Sequence, residues 1–488
     1  VSRIDSTTGA RAFRRAPLAL CLAGTLATAG SLHALDTTHA TPHADARMRG
    51  SDFAYHATPL IARTPHRIAS TLPVTSCADD GSAGTLRAVL ASAADGDTID
   101  LSTLTCSTIT LEQGAVTTAV DNVTIEGPGR SALTIDAAHL DRAIVLSGAG
   151  TLSIDDVTIA NGYLLGDYNG GCVRSYGNLS LVRTTVTGCD IVAVGYAAGG
   201  GAAARANMSL LDSTVSGNLV SSTSNYYGYL YGGGVNAVGT MTIESSTISG
   251  NTQQFLGDVT PYSIAYGAGV ASRASTTISA STIEGNTGST YGGGIFFTAS
   301  GDGFIRLEIL RSTVSGNAAS LGGGGVGVGG LFPARLASFV LHGSTIAENS
   351  TDGAGGGIRF RDYTLADMQS SIVASNSATT SPDLEAVETI AIYGADNLID
   401  AADPDVALPA DTLHGDPLLE PLADNGGPTR THALGAGSPA IDAGNNYFDD
   451  PNDQRGDGFE RVANGRADIG AFELQATDRI FGDGFDGT

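Results

Sequence analysis

Tryptophan is absent from this 488-residue chain, methionine occurs four times and cysteine five. Positive charge is scarce: 25 Lys plus Arg stand against 50 Asp plus Glu, a formal net charge of −25. A chain of that sign is repelled by phosphate backbones and by anionic lipid, which argues against nucleic acid and membrane surfaces as partners. It suits solubility outside a cell, or cation binding. The nine histidines form no His-x-x-x-His pair and no Cys-x-x-Cys occurs, so zinc and redox chemistry lack sequence support. No Ser, His and Asp stand at a recognisable triad spacing. None of the glycine clusters is followed by Gly-Lys-Ser/Thr, as a phosphate loop requires. Beyond the N-terminus no apolar run approaches the roughly 18 residues of a spanning helix.

What is present begins with an export signal. Arg3, Arg11, Arg14 and Arg15 precede the apolar stretch 16–30, so residues 1–34 are predicted to be a signal peptide. Val1 suggests a non-AUG start and hence a bacterial gene. Residues 35–75 have no period and read as a flexible leader. Once Cys21 leaves with the signal, Cys77, Cys106, Cys172 and Cys189 remain. Export permits disulfides, and the sequence gaps favour Cys77–Cys106 and Cys172–Cys189 among the three possible pairings. Leu86, Val89, Leu90 and Ala93 then recur at i, i+3, i+4 and i+7, which predicts an amphipathic helix of about three turns.

Glycine, at 66 residues, is concentrated in a repeat. Ser-Thr-(Val/Ile)-x-x-Asn begins at 213, 246, 281, 312 and 344, with a decayed copy, SIVASN, at 371. The Asn column is Asn218, Asn251, Asn286, Asn317, Asn349 and Asn376, and Cys189 takes that slot in an earlier copy. A glycine cluster precedes each unit. Leu210, Ile243, Ile278, Ile309, Leu341 and Met368 form one apolar column; Val215, Ile248, Ile283, Val314, Ile346 and Val373 form another. Alternation around them has period 2, not 3.6. Strands this short cannot bury a face alone, so successive coils must stack. The expectation is an all-β, right-handed parallel β-helix over 76–414, with a short N-terminal capping helix. Residues 105–400 hold about eight to ten coils, a rod of roughly 40–50 Å. The Asn column is read as structural, because an amide can bond its own bend and the amide one coil away.

Beyond Ile399 the repeat stops. Residues 416–444 (DPLLEPLADNGGPTRTHALGAGSPAIDAG), Asp453-Gln454-Arg455-Gly456 and Asp468-Ile469-Gly470-Ala471-Phe472-Glu473 resemble the terminal signature of the choice-of-anchor Q family. That resemblance implies a large secreted or surface bacterial protein with a pectin-lyase-like β-helical body, and a C-terminal capping module at 415–474. Thr85-Leu86-Arg87-Ala88-Val89 is similar to the Ser-Leu-Arg-Glu-Ala segment of such proteins, departing at Ala88. The tail, 475–488, contains IFGDGFD, similar to a terminal motif of some exported bacterial proteins.

Three readings of function follow. The first is a non-enzymatic extracellular protein that binds glycan or a surface partner, with no catalytic, cofactor or metal residues. Its contact face would be Tyr226, Tyr227, Tyr229, Tyr231, Tyr262, Tyr266 and Tyr291, which fall just before successive glycine clusters and join an apolar face to a hydroxyl. The second is a polysaccharide lyase or glycoside hydrolase. It would draw on Asp155, Asp156, Asp190 or Asp212 with Arg174, Arg183 or Arg205, none of which forms a known catalytic motif. Asp212, Glu244, Arg311 and His342 read as one outward slot that swaps sign. The third, an autotransporter-like passenger, needs a barrel of roughly 250–300 residues that 415–488 do not supply. Asp449, Asp450, Asp453 and Asp457 offer oxygen ligands for weak Ca²⁺ binding at most. Oligomeric state is left open.

Overall fold

The computed structural model describes residues 69–475, apart from 167–168, 225–226, 258–259, 300–304, 331–336 and 362–363. The predicted signal peptide, the leader up to residue 68, the tail beyond Gln475 and Tyr226 lie outside the described residues.

The chain winds as a right-handed parallel β-helix. One coil shows the order: Val173–Ser175, Asn178–Val182, Thr185–Thr187, Asp190–Ala193, Tyr196–Ala198, then Ala202–Ala204 back over the first strand. Stacking these gives sheet 1 (13 strands, from Thr71–Pro73 to Val406–Ala407), sheet 2 (11 strands, Thr108–Thr110 to Leu398–Ile399) and sheet 3 (10 strands, Val116–Thr118 to Leu384–Ala386). Every strand pairing among them is parallel. The eleven rungs of sheet 2 slightly exceed the coil number expected from length.

Both apolar columns are in register inside the coil. Leu210 pairs with Ile243, Ile243 with Ile278, and so on to Met368; Val215 to Val373 does likewise in sheet 2. All are buried in one continuous core. The Asn side chains run as a buried ladder: Nδ2 of Asn218 donates to Oδ1 of Asn251 at 2.8 Å, Asn251 to Asn286, Asn286 to Asn317 and Asn317 to Asn349, each at 2.9 Å. Each Oδ1 also accepts the backbone N–H of the preceding coil's Asn. One amide therefore satisfies donors and acceptors of two coils at a bend that the sheets leave open.

Sequence and structure part in four places. Thr71–Pro73, inside the predicted leader, is the first strand of sheet 1; three residues are too few to show a period. The helix is Leu86–Ser92, shorter than three turns, because Asp97 accepts from the N–H groups of Ala94 and Ser70 and draws the chain into the first coil. Its Leu86 and Leu90 close the core end, and Arg87 clamps it through Asp79, Gly114 O and Ala115 O. The supposed slot of Asp212, Glu244, Arg311 and His342 is two columns. Asp212 and Arg311 occupy a bend with φ of 46° and 43°, whereas Glu244 and His342 end strands of sheet 1 against Leu211 and Leu310. Finally, two further sheets grow between the Asn bend and the glycine turn: Tyr163–Leu165 to Thr252–Phe255 (four strands) and Tyr196–Ala198 to Ser350–Thr351 (six strands). They enclose a small core of their own, Leu164, Ile191, Val220 and Leu230 among it.

The two expected disulfides are present, Cys77–Cys106 with Cα atoms 6.4 Å apart and Cys172–Cys189 with 5.4 Å.

Residues 415–475 contain little regular structure and lie along the outer face of sheet 2. Ile469, Phe472, Leu434 and Ala440 pack on the outward Ile372, Ala374 and Leu398. Polar contacts run up the stack: Thr282 Oγ1 donates to Arg430 O, Thr313 Oγ1 to Gln454 Oε1, and His432 Nε2 meets Ser315 Oγ at 2.8 Å. Gly470 has φ 107°, and a Cβ there would come within 2.8 Å of Ile372, so the glycine of the Asp-Ile-Gly motif is a close approach.

The segment's own interior is ionic. Arg455 is fully buried; its guanidinium pairs with Asp453 at 2.7 Å, donates to Glu473 O and lies between the Phe459 and Phe472 rings. Glu473 accepts from the Ala463 and Asp468 N–H groups, yet burial pushes its carboxyl up to about 7. Burial raises Asp468 in the same direction. Asp453, Asp468 and Arg461 are the charged groups facing Glu473. A raised folded-state carboxyl binds protons more tightly than its unfolded counterpart, so stability falls as pH rises through the window between the two values. This segment is therefore expected to be most firmly docked near pH 4.5, to loosen up to about pH 7 and to change little above it. Hydrogen exchange of 415–475 against pH checks this, and Glu473→Gln should flatten the profile.

Candidate functional site

The glycine turn that returns each coil from the six-stranded flank sheet to sheet 3 brings their outward faces together; Ala198, Tyr231, Tyr266, Ala271 and Phe296 pack there as a buried cluster, and a groove remains where Tyr196 faces Arg174, Ala203 and Arg205. The turn needs glycine: Gly199, Gly232 and Gly267 all have φ near 60–65°, and a Cβ on each would strike the carbonyl of Ala202, Val235 or Val270 at 2.4 Å or less.

The flank-sheet wall is tyrosine. Strand alternation turns Leu230 and Ala265 into the flank core and leaves Tyr229, Tyr231 and Tyr266 on the opposite face. Tyr196, Tyr231, Tyr266 and Tyr291 form a ladder with ring centroids 5.6, 5.1 and 6.2 Å apart, about one coil spacing per step. Phe296 of sheet 3 closes on Tyr266 at 4.4 Å. Burial pushes the hydroxyls of Tyr196 and Tyr231 up and that of Tyr266 up to about 12, so this wall stays uncharged.

The sheet 3 wall is basic. Its outward positions on four successive strands are Arg174, Ala203, Asn236 and Ala271, with Tyr176, Arg205, Val238 and Arg273 immediately after those strands. None is a carboxylate, in a protein carrying 50 of them. Arg273 lies over the Tyr231 ring at 4.2 Å and Arg361 over Tyr291 at 5.0 Å; Arg174 lies over Tyr176 at 4.2 Å. Cation–π contact holds each guanidinium against its ring at the groove, and Arg273 also hydrogen-bonds the Tyr231 hydroxyl. The small side chain of Ala203 makes a floor between Arg174 and Arg205, and here a pocket of about 200 Å³ opens, walled by Tyr196, Asn236 and Asn169. Asn169 Oδ1 is buried with no hydrogen-bond partner, an unusual state for a buried polar atom.

Of the seven tyrosines singled out by sequence, the six described ones have different fates. Tyr229, Tyr231, Tyr266 and Tyr291 share the wall, but Tyr231 and Tyr266 are 7% and 5% exposed and serve as the wall's body rather than as an open contact face. Tyr227 leans over Gly195 at the flank's edge and Tyr262 is exposed ahead of its strand; neither belongs to the ladder. Tyr196, Phe296, Arg273, Arg359 and Arg361 were missed. For the arginines a signal lay in the alternation after each glycine cluster, in Val-Arg-Ser-Tyr, Ala-Ala-Ala-Arg, Val-Ala-Ser-Arg and Ile-Arg-Phe-Arg.

The carboxylates weighed for catalysis do not converge. Asp156 pairs with Arg183 and Asp212 with Arg130, at bends outside the groove. Asp190 is half-buried, and burial raises its carboxyl, with His139 as the opposing charge. Among the acids considered for Ca²⁺, Asp453 is committed to Arg455 and Asp450 to Arg311. Among the described residues no group of three His, Cys, Asp or Glu side chains could hold a metal, and no helix is long and apolar enough to cross a membrane. Searches with the sequence find no matching family model and no matching curated protein.

Proposed function

We propose that this is an extracellular, non-enzymatic binding protein of the choice-of-anchor Q type, and that the arginine–tyrosine groove holds an anionic glycan lying along the stack. One observation carries the reading: Arg174, Arg205 and Arg273 recur on or immediately after four successive strands whose outward positions hold no carboxylate, facing a tyrosine ladder. Arginine forks match carboxylate and sulfate geometry, and tyrosine edges suit sugar rings. The four coils from Arg174 to Arg273 span roughly 14 Å, three strand spacings. The paired state of Asp156 and Asp212 supports binding over hydrolysis, and the signal-like N-terminus supports export.

The test is a polysaccharide panel, with polygalacturonate and alginate as anionic probes and dextran as the neutral one. Arg205 and Tyr229 are both exposed, so Arg205→Glu and Tyr229→Ala should leave the coil intact. The expected result is anionic binding that weakens with salt and drops at least about tenfold, some 1.4 kcal/mol, in Arg205→Glu. Equal binding of dextran, or indifference to Arg205→Glu, would sink the proposed site. Release of reducing or unsaturated ends, with or without Ca²⁺, would make the protein a hydrolase or lyase instead.

A further inference from the structure

A second concavity lies on the outer face of sheet 1, where the C-terminal segment reaches across it. Its volume is about 410 Å³, within the range of about 300–1,000 Å³ typical of small-molecule sites. The floor is apolar, from Leu310 and Val340. The register sets Glu308, Val340 and Asp367 side by side on three consecutive strands, so the two carboxylates flank the floor. The C-terminal segment contributes Phe448 and Asp450.

Two buried donors here sit in ion pairs without making a hydrogen bond. His342 Nε2 stands 3.8 Å from Asp367 Oδ2, and Arg311 Nε stands 3.2 Å from Asp450 Oδ1, but neither contact is a hydrogen bond. Buried donors without a hydrogen bond are rare, and the side chains of both line one pocket. One face of the Phe448 ring is stacked on His342, with centroids 4.4 Å apart and planes at 17°. Even so, Phe448 is 56% exposed, an aromatic surface left open beside the pocket.

The charges at this site are interleaved rather than one-sided. Glu308 is neutralised by Arg306 at 2.9 Å and also accepts from Thr277 Oγ1; Asp450 faces Arg311. An ionic ligand would find no surplus of opposite charge. The pocket suits a ligand with several hydroxyls, each able to donate to a carboxylate and accept from a guanidinium, and with one apolar face for Leu310, Val340 or Phe448. That is the chemistry of a pyranose ring.

We propose that this pocket is a binding site for a single neutral sugar unit, built jointly by sheet 1 and the C-terminal segment. It does not depend on the groove, and it takes a ligand of different charge.

Ligand-observed saturation-transfer NMR on the whole protein tests it, with the methyl pyranosides of glucose, galactose and mannose as neutral probes and methyl glucuronide as the charged one. At least one neutral glycoside should bind with a Kd in the millimolar range, about 4 kcal/mol. Asp367→Asn and Phe448→Ala should each weaken it about tenfold or more. Phe448 is exposed, so its truncation keeps the test meaningful should Asp367→Asn disturb the sheet. Leu165→Ser, on the four-stranded flank sheet, is the control and should change nothing. Absence of saturation transfer from every neutral probe at about 20 mM, undiminished binding in Phe448→Ala, or equal binding of the glucuronide would each overturn the assignment.

Discussion

Replacing Arg455 by Ala is expected to release residues 415–475 from the coils while the β-helix itself stays folded. The side chain is among the largest that the protein buries completely. Its loss strands the Asp453 carboxylate, also 0% exposed, without its counter-charge, and empties the space between Phe459 and Phe472. Removing one partner of a buried ion pair typically costs about 3–5 kcal/mol, because the charge left behind has no water to turn to. The segment has little regular structure to hold it otherwise. Differential hydrogen exchange should show lost protection throughout 415–475 and newly exposed amides in sheet 2 from Thr282 to Ala374. Unchanged protection there would show that docking does not rest on this pair. Arg455→Lys should fare little better, because a single ammonium cannot bond Asp453 and the Glu473 carbonyl in the fork geometry observed.

The second large effect is expected inside the coil, at Asn286. Its Oδ1 accepts from Asn251 N and Asn251 Nδ2 at 3.0 and 2.9 Å; its Nδ2 donates to Ile248 O and Asn317 Oδ1 at 3.0 and 2.9 Å. Asn286→Ala takes a partner from each of these groups; Asn251 Nδ2 keeps Val215 O and Asn317 Oδ1 keeps the residue 286 N–H, which leaves Asn251 N and Ile248 O stranded. Each stranded buried group costs about 1–3 kcal/mol, so a loss on the order of 4 kcal/mol is expected after partial relaxation. Asn286→Asp separates the two halves of the role. The carboxylate still accepts from Asn251, but it has no donor for Ile248 O and it faces Asn317 Oδ1. A variant nearly as unstable as the alanine one would show that the donor half matters. Chemical denaturation midpoints read the difference, and an Asn286→Ala loss within experimental error would refute the ladder's structural weight.

The arginine–tyrosine groove was only half legible beforehand. Recurrent tyrosines near the glycine clusters drew attention to the right edge of the coil, yet nothing local distinguished Tyr231, which becomes wall, from Tyr227, which packs over Gly195. Position within a strand decides that, and the tyrosine-bearing flank strands are three or four residues long with no repeat motif to mark where they begin. The arginines did not read as a set because each stands alone in sequence, Arg205 lying 31 residues after Arg174 and Arg273 a further 68. Parallel stacking turns those separations into one coil and two coils, which is why Arg174, Arg205 and Arg273 end up on one wall.

By itself the sequence determined the period of the coil, the inward face of the strands in the two repeat columns, the bend carried by asparagine and the feasible disulfide partners. Those properties follow from short-range alternation and from side chains that meet their own copies one turn later. The outer surface was decided only in three dimensions. STVSGN occurs twice, at 213 and at 312, with the same inward Val and the same Asn. In the first copy Thr214 and Ser216 stay partly open to solvent; in the second Thr313 and Ser315 are 0% and 1% exposed. What differs is the partner. Gln454 and His432, 141 and 117 residues further along the chain, cover the second copy. Identical hexapeptides carry identical local preferences, so burial of their outer faces is set by which distant segment docks there, a property that no window of the sequence contains.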